Sequence, residues 1–244
     1  MSYIIELKDI SFSAQGNRIV HETSFQYEEE KTIALVGPSG CGKSTILKLS
    51  AGLIIPDEGE VLYKGKAISK MNRQENLTFR RESGFVFQDS ALWANQNLYQ
   101  MLELPLKLHF PGMQKKERDD RINQIASEVG YRKNLLVRPS QLSMGEQKLL
   151  AFARAIICRP KLLYLDEWTE SLDERSSSRL IDIVKKMQSE GVSIILINHK
   201  VSIIRELSDK VAVILGGKIS YIFSKEQLKS DTELKNLIEG DKET

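Results

Sequence analysis

Apolar and polar positions follow two rhythms along this 244-residue chain, one with a period of two and one with the period of a helix. "YIIELKDISF" (Tyr3–Phe12) and "RIVHETSFQY" (Arg18–Tyr27) read as strands parted by the turn-like "AQGN" (Ala14–Asn17). "TIALV" (Thr32–Val36) is a short apolar strand that runs into a glycine-rich turn. "KSTILKLSAGL" (Lys43–Leu53) leaves that turn with helical spacing. Buried-type strands recur at Lys161–Leu165, Val192–Ile197 and Lys210–Leu215, with helical patterns at about 175–190 and 201–208 between them. Strands alternating with helices predict a parallel sheet with helical crossovers.

The middle of the chain differs. From Asp89 to Ile157 the pattern is almost wholly helical, with breaks expected at Pro105, Pro111–Gly112, Gly130 and Pro139. This predicts a helical subdomain inserted into an α/β core. The mixed-charge run "KKERDDR" (Lys115–Arg121) fits a solvated helix face.

Composition narrows the functional classes. Hydrophobic residues make up 41% and charged residues 28%, as in ordinary globular proteins. A net charge of +2 gives no sign of the concentrated basic stripe that nucleic-acid binding requires. The longest apolar runs, such as Val192–Ile197, are too short to span a bilayer. The first ten residues carry Glu6 and Lys8 and lack a signal-peptide pattern. Cys41 and Cys158 form no disulfide framework, which fits a reducing cytoplasm. Any membrane role is therefore expected to run through a partner.

Candidate chemistry sits where strands end. "GPSGCGKST" (Gly37–Thr45) matches G-x-x-x-x-G-K-[ST] between a predicted strand and helix. Glycines let backbone N–H groups converge on phosphate oxygens, and the helix N-terminus adds positive potential. Lys43 would reach the β- and γ-phosphates, and the Ser44 hydroxyl would ligate Mg²⁺. Cys41 reads as a small filler in this loop. "LLYLDE" (Leu162–Glu167) delivers Asp166 to the carboxyl edge of the sheet, suited to Mg²⁺, followed by Glu167, suited to polarise an attacking water. Gln88 in "FVFQDS" and His199 in "ILINHK" also follow apolar strands. Gln88 could touch Mg²⁺ or the lytic water, and His199 the γ-phosphate; His21 and His109 read as structural. In "QLSMGEQ" (Gln141–Gln147), Ser143 and Glu146 form a capping box, which explains a helix start without any function.

The order "GPSGCGKST", "FVFQDS", "LSMGEQ", "LLYLDE", "SLD", "INHK" resembles the ATP-binding subunits of ABC transporters, over roughly Ile4 to Ile238. The resemblance implies a P-loop NTPase (RecA-like) α/β core with an antiparallel β subdomain and an inserted helical subdomain. It divides one ABC ATPase domain into core (1–88 and 158–225), helical subdomain (89–157) and C-terminal tail (226–244). It implies that Gly37, Pro38, Ser39, Gly40, Cys41, Gly42, Lys43, Ser44 and Thr45 cradle ATP. Ser44, Gln88 and Asp166 would attend Mg²⁺, with Glu167 as catalytic base and His199 as switch histidine. Asp173 would lie in the D-loop. Ser143 and Gly145, in the signature, would complete the nucleotide site of the opposite subunit of a homodimer, whose ATP-driven closure is passed to transmembrane permease partners. The resemblance also implies a place on the cytoplasmic face of the inner membrane.

Departures from the family pattern are Ala14 where adenine is often stacked on an aromatic, Trp168 for proline, Glu170 for serine, Met144 for glycine and Glu146 for glutamine. Phe87–His109 and the tail Ser230–Gly240 are similar to the ATPases of MCE-type (Mla-like) lipid transport systems. That resemblance implies phospholipid transport in a bacterial envelope, with MCE-type substrate-binding partners. The alternatives are a nutrient importer, a lipoprotein-release or efflux type, or a soluble ABC ATPase of translation or DNA repair.

Overall fold

The computed structural model describes residues 2–228 and 231–239. In chain order the elements are β1 (Tyr3–Ala14), β2 (Asn17–Glu28), β3 (Thr32–Val36), α1 (Lys43–Ser50), β4 (Glu58–Tyr63), β5 (Lys66–Ala67), α2 (Arg73–Glu82) and β6 (Ser83–Val86). Then come α3 (Leu98–His109), α4 (Lys115–Glu128), α5 (Met144–Ile156), β7 (Leu162–Asp166) and α6 (Glu174–Ser189). The chain continues through β8 (Ser193–Ile197), α7 (Val201–Leu207), β9 (Lys210–Leu215), β10 (Lys218–Ser224) and α8 (Asp231–Glu239).

Two sheets form. One is four-stranded and antiparallel, in the order β2-β1-β4-β5. The other is six-stranded, in the order β10-β9-β3-β8-β7-β6, parallel throughout except for the antiparallel edge strand β10. The expected parallel sheet is therefore mixed at one edge. β3, β7 and β8 are buried at every position, which is what a central parallel strand covered on both faces requires.

Side-chain alternation along these strands builds two cores. Ala34, Val36, Leu163, Leu165, Ile194 and Leu196 point to one face and join α3, α4, α5 and α6. Ile33, Leu35, Leu162, Tyr164, Ile195 and Ile197 point to the other and pack with α1 and the antiparallel sheet. Between Asp89 and Ile157 the α-helices are α3, α4 and α5, while residues 89–97 carry no regular element.

Pro105 does not break the chain there. It lies inside α3, because Asn97 and Gln100 close a capping box at the start and Leu98, Met101, Leu102 and Leu106 bury the same helix around it. Packing outweighs the roughly 3 kcal/mol cost of an interior proline. The helix expected through Leu53 ends at Ser50. Of the tail resemblance, Ser230 and Gly240, like the final residues Asp241–Thr244, lie outside the described residues. Among the described residues no helix is long and apolar enough to cross a membrane.

Candidate functional site

The parallel strands set the site. β3, β6, β7 and β8 run the same way, with Val86 in register with Leu165, Asp166 with Ile197, and Leu35 with Ile197. The loops that follow them therefore leave the same edge of the sheet, the edge at which α/β folds bind ligands. They carry Gly37–Gly42, Gln88, Glu167 and His199.

The phosphate loop is shaped by glycine where nothing else fits. A Cβ on Gly37 would stand 2.2 Å from the Ile214 carbonyl oxygen, at φ 144°. Gly42, the N-cap of α1, is left-handed at φ 99°. The buried Lys43 ammonium donates to the carbonyls of Gly37 (2.9 Å) and Pro38 (2.8 Å) and so lies along the loop it is expected to serve. Cys41 is buried in the second core, and burial pushes its thiol up against the pull of Lys43. It is a filler with little thiolate character at neutral pH.

At the end of β7, Ser44 Oγ donates to Asp166 Oδ1 at 3.1 Å. Burial pushes the Asp166 carboxyl up, Ser44 pulls it back, and the neighbouring Glu167 charge raises it further. A hydroxyl and a carboxylate oxygen this close are hard donors that fit Mg²⁺, which takes few protein ligands and prefers oxygen. Glu167 is held on both sides: Gln88 Nε2 donates to Oε2 at 3.0 Å, and His199 Nε2 lies 2.7 Å from Oε1. Its backbone is left-handed at φ 45°, with its N–H bonded to the Ile197 carbonyl. Next to it Trp168 is fully buried and stacks on Phe152 of α5, ring centroids 5.6 Å apart.

Ser143, Gly145 and Asp173 are placed differently. Ser143 Oγ accepts from the Glu146 N–H and donates to Glu146 Oε2, while that carboxylate also accepts from the Ser143 N–H at 3.0 Å. Glu146 is thus turned back into the cap, and Lys133 closes on its other oxygen at 2.7 Å. The Lys133 hydrogen bond, followed by those of Ser143, holds the Glu146 carboxyl below its usual range. Gly145 faces the Ser171 carbonyl, to which an added Cβ would come within 3.2 Å. Asp173 caps α6, accepting from the Ser176 N–H at 2.7 Å. The hydrogen bonds of these three residues stay within their own helix starts and do not join the Gly37–Thr45 loop. Met144 is 71% exposed at the head of α5.

One residue that sequence reasoning did not single out belongs here. Lys148 of α5 is buried and its ammonium donates to the Gln88 carbonyl oxygen. The amphipathic run Lys148–Ile157 marks a helix, and nothing in it separates an inward lysine from a surface one.

A phosphate-loop strand–turn–helix, an acidic strand end and a histidine one strand over define a nucleotide-hydrolysing P-loop protein. Residues 20–170 match the family described as ABC transporter. The chain belongs to that family, as an ATP-binding subunit and ATPase. The methionine import ATP-binding protein MetN of Clostridium acetobutylicum is 30% identical over 96% of this chain and 74% of its own length. A putative ABC transporter ATP-binding protein of Caldanaerobacter subterraneus is 32% identical over 96% of this chain and 97% of its own. Among solved structures, the dimeric post-hydrolysis state of the ATP-binding cassette MJ0796 bound to ADP and Pi is similar with a TM-score of 0.84 and 25% identity. That match covers 91% of this chain and 98% of the other.

Proposed function

We propose that this subunit energises a membrane transporter by closing as a homodimer on ATP, with residues 89–157 as its helical subdomain. The observation that supports this best is the division of the site. Gly37–Thr45, Asp166, Glu167, Gln88 and His199 gather at one sheet edge. Ser143 and Gly145 head α5 with no bond to that loop. The N–H groups of Met144 and Gly145 open the first turn of α5 beyond the Ser143–Glu146 cap; such a helix start is an anion site, and its use is to meet the γ-phosphate held by a second copy.

In this reading the loop N–H groups and Lys43 hold the phosphates, with Pro38, Ser39, Gly40 and Cys41 shaping the turn. Ser44, Asp166 and Gln88 would hold Mg²⁺, which when bound neutralises charge on the β- and γ-oxygens. Glu167 accepts a proton from the attacking water, with Gln88 and His199 orienting its two oxygens. Asp173 borders the signature from α6. Loss of the bridging phosphate then reopens the dimer.

For the cargo, likeness to a methionine import protein over 96% of this chain supports an importer. The segment Phe87–His109 supports a second reading, phospholipid transport with MCE-type partners. In either case the subunit sits on the cytoplasmic face of the inner membrane beneath transmembrane permease subunits, and nucleic acid is no part of its function. Purification from native membranes separates the readings. A permease with a solute-binding protein marks an importer, a permease with MCE-domain proteins marks lipid transport, and ribosomes or DNA would sink both. For the chemistry, Glu167→Gln is expected to bind ATP, accumulate a closed dimer on gel filtration and lose on the order of 10²–10⁴ in turnover. Normal hydrolysis by that variant removes Glu167 from the role of base.

A further inference from the structure

Lys148 is a buried cation beside the site that, among the described residues, forms no direct ion pair. It lies five residues beyond Ser143 on the same helix and is 3% exposed. A buried ammonium retained without a direct counter-ion needs strong hydrogen bonding and a favourable surrounding field. Its bond is to the main-chain oxygen of Gln88. Burial pushes the Lys148 ammonium down, and the charges of Glu170, Asp89, Asp166 and Glu167 only partly pull it back.

The Gln88 bond extends a connected path. Gln88 gives its carbonyl to Lys148 and its side-chain amide to Glu167 Oε2; the other Glu167 oxygen lies against His199. In the loop carrying Gln88, Ser90 and Ala91 adopt left-handed φ, 63° and 44°, and the Ser90 N–H donates to the Phe87 carbonyl at 3.1 Å. α5 adds side-chain donors to this loop: Lys148 at Gln88, and Arg154 at the carbonyls of Ala91 (2.7 Å) and Ser90 (3.2 Å). One turn beyond Lys148, on the same face, α5 meets the turn after Glu167 through the Phe152–Trp168 stack. One helix therefore carries Ser143 and Gly145 at its head and holds the Gln88 carbonyl and the Trp168 ring further along.

We propose that Lys148 is a positioning residue that couples the two half-sites within one chain, transmitting the placement of the α5 head to Glu167 through Gln88. This rests on the reading that Ser143 and Gly145 serve the partner's nucleotide. When a partner's phosphate settles on the α5 head, the helix carries Lys148 with it. The Gln88 main chain follows, and the amide that orients Glu167 moves into place. Occupancy of one site thereby prepares the carboxylate of the other, a coupling free energy within the chain.

The test is steady-state ATPase as a function of ATP, with equilibrium binding of a fluorescent ATP analogue, on the full chain and on Lys148→Met, Lys148→Gln and Lys148→Arg. Lys148→Met keeps the stem and loses the donor. It is expected to bind the analogue within about twofold of the native chain. Its kcat should fall roughly ten- to a hundredfold, the scale of a small misplacement at a reacting centre, and its Hill coefficient should drop to about 1. Lys148→Arg, which can still donate to the Gln88 carbonyl, is expected to recover most of both. Lys148→Gln, too short to reach, behaves as Met does and serves if Met does not fold. A Met or Gln variant with native kcat and Hill coefficient overturns the proposal. So does a fall in kcat with the Hill coefficient unchanged, which would mark a purely local role. A native chain that hydrolyses ATP without cooperativity as a monomer overturns the dimer reading itself. A cooperative native dimer with unaffected variants overturns only this inference.

Discussion

Glu82 offers a measurable link between the two sheets. It ends α2, and its carboxylate accepts from Tyr63 Oη at 2.5 Å, Lys161 Nζ at 2.9 Å and Lys64 Nζ at 3.5 Å. Tyr63 belongs to the antiparallel sheet and Lys161 leads into β7 of the other, so three donors from both layers meet on one side chain. Burial alone would raise this carboxyl, but the bonds from Tyr63 and Lys161 outweigh it and bring it from 4.5 down to about 2. At about 1.4 kcal/mol per factor of ten, that difference is worth roughly 3 kcal/mol, which solvent screening of the lysines reduces to about 2 kcal/mol. A lowered folded-state value stabilises above the unfolded value, so the contribution is complete above pH 4.5 and disappears as pH falls towards 2. Glu82→Gln keeps the volume and loses the charge. Urea unfolding should show it about 2 kcal/mol less stable than the native chain at pH 7, with unchanged m. The gap should shrink to less than half by about pH 3. A gap that is the same at both pH values would refute the charge argument and leave only a neutral contact.

Two other expectations concern the nucleotide. Lys133→Gln frees the Glu146 charge beside the anion site at the α5 head and should weaken ATP-driven dimerisation by roughly two- to fivefold. Lys133→Gln/Glu146→Gln should restore it, and sedimentation with ATP reads both. If the single variant dimerises normally, the Lys133–Glu146 pair has no part in tuning the signature. Gly37→Ala forces a Cβ to 2.2 Å from the Ile214 carbonyl at a φ that disfavours side chains. It should lose ATP-analogue binding altogether; wild-type affinity would mean the loop can relax away from β9.

Much of this was legible in the chain because the physics was local. β3, β7 and β8 are buried on both faces and so are written as unbroken apolar runs. Gly37–Thr45 declares itself because a phosphate cradle needs glycines at fixed spacing. The unpredicted elements lack such signals. α2 buries only Phe79, so its "RQENLTFRRE" carries no apolar stripe and its start is marked only by the Asn72–Glu75 box. β4 begins with an exposed Glu58 and a left-handed Gly59, and β10 is an edge strand with exposed Tyr221 and Ile222. Pro105 misled in the opposite sense, since a local rule yielded to the buried face of α3. Lys148 was invisible because its burial depends on Gln88, sixty residues away.

The left-handed backbone of Glu167 has a consequence for how this chain can change. A side chain at φ 45° is disfavoured by about 1–2 kcal/mol relative to glycine, so the position proposed to bear the hydrolytic carboxylate is also one where glycine would relax the backbone. Mutational drift under selection for heat resistance alone would move this residue towards glycine and yield a sturdier, inert cassette. With Glu167 as the proposed base, selection for turnover is what holds a glutamate at this φ, and stability and activity pull in opposite directions there.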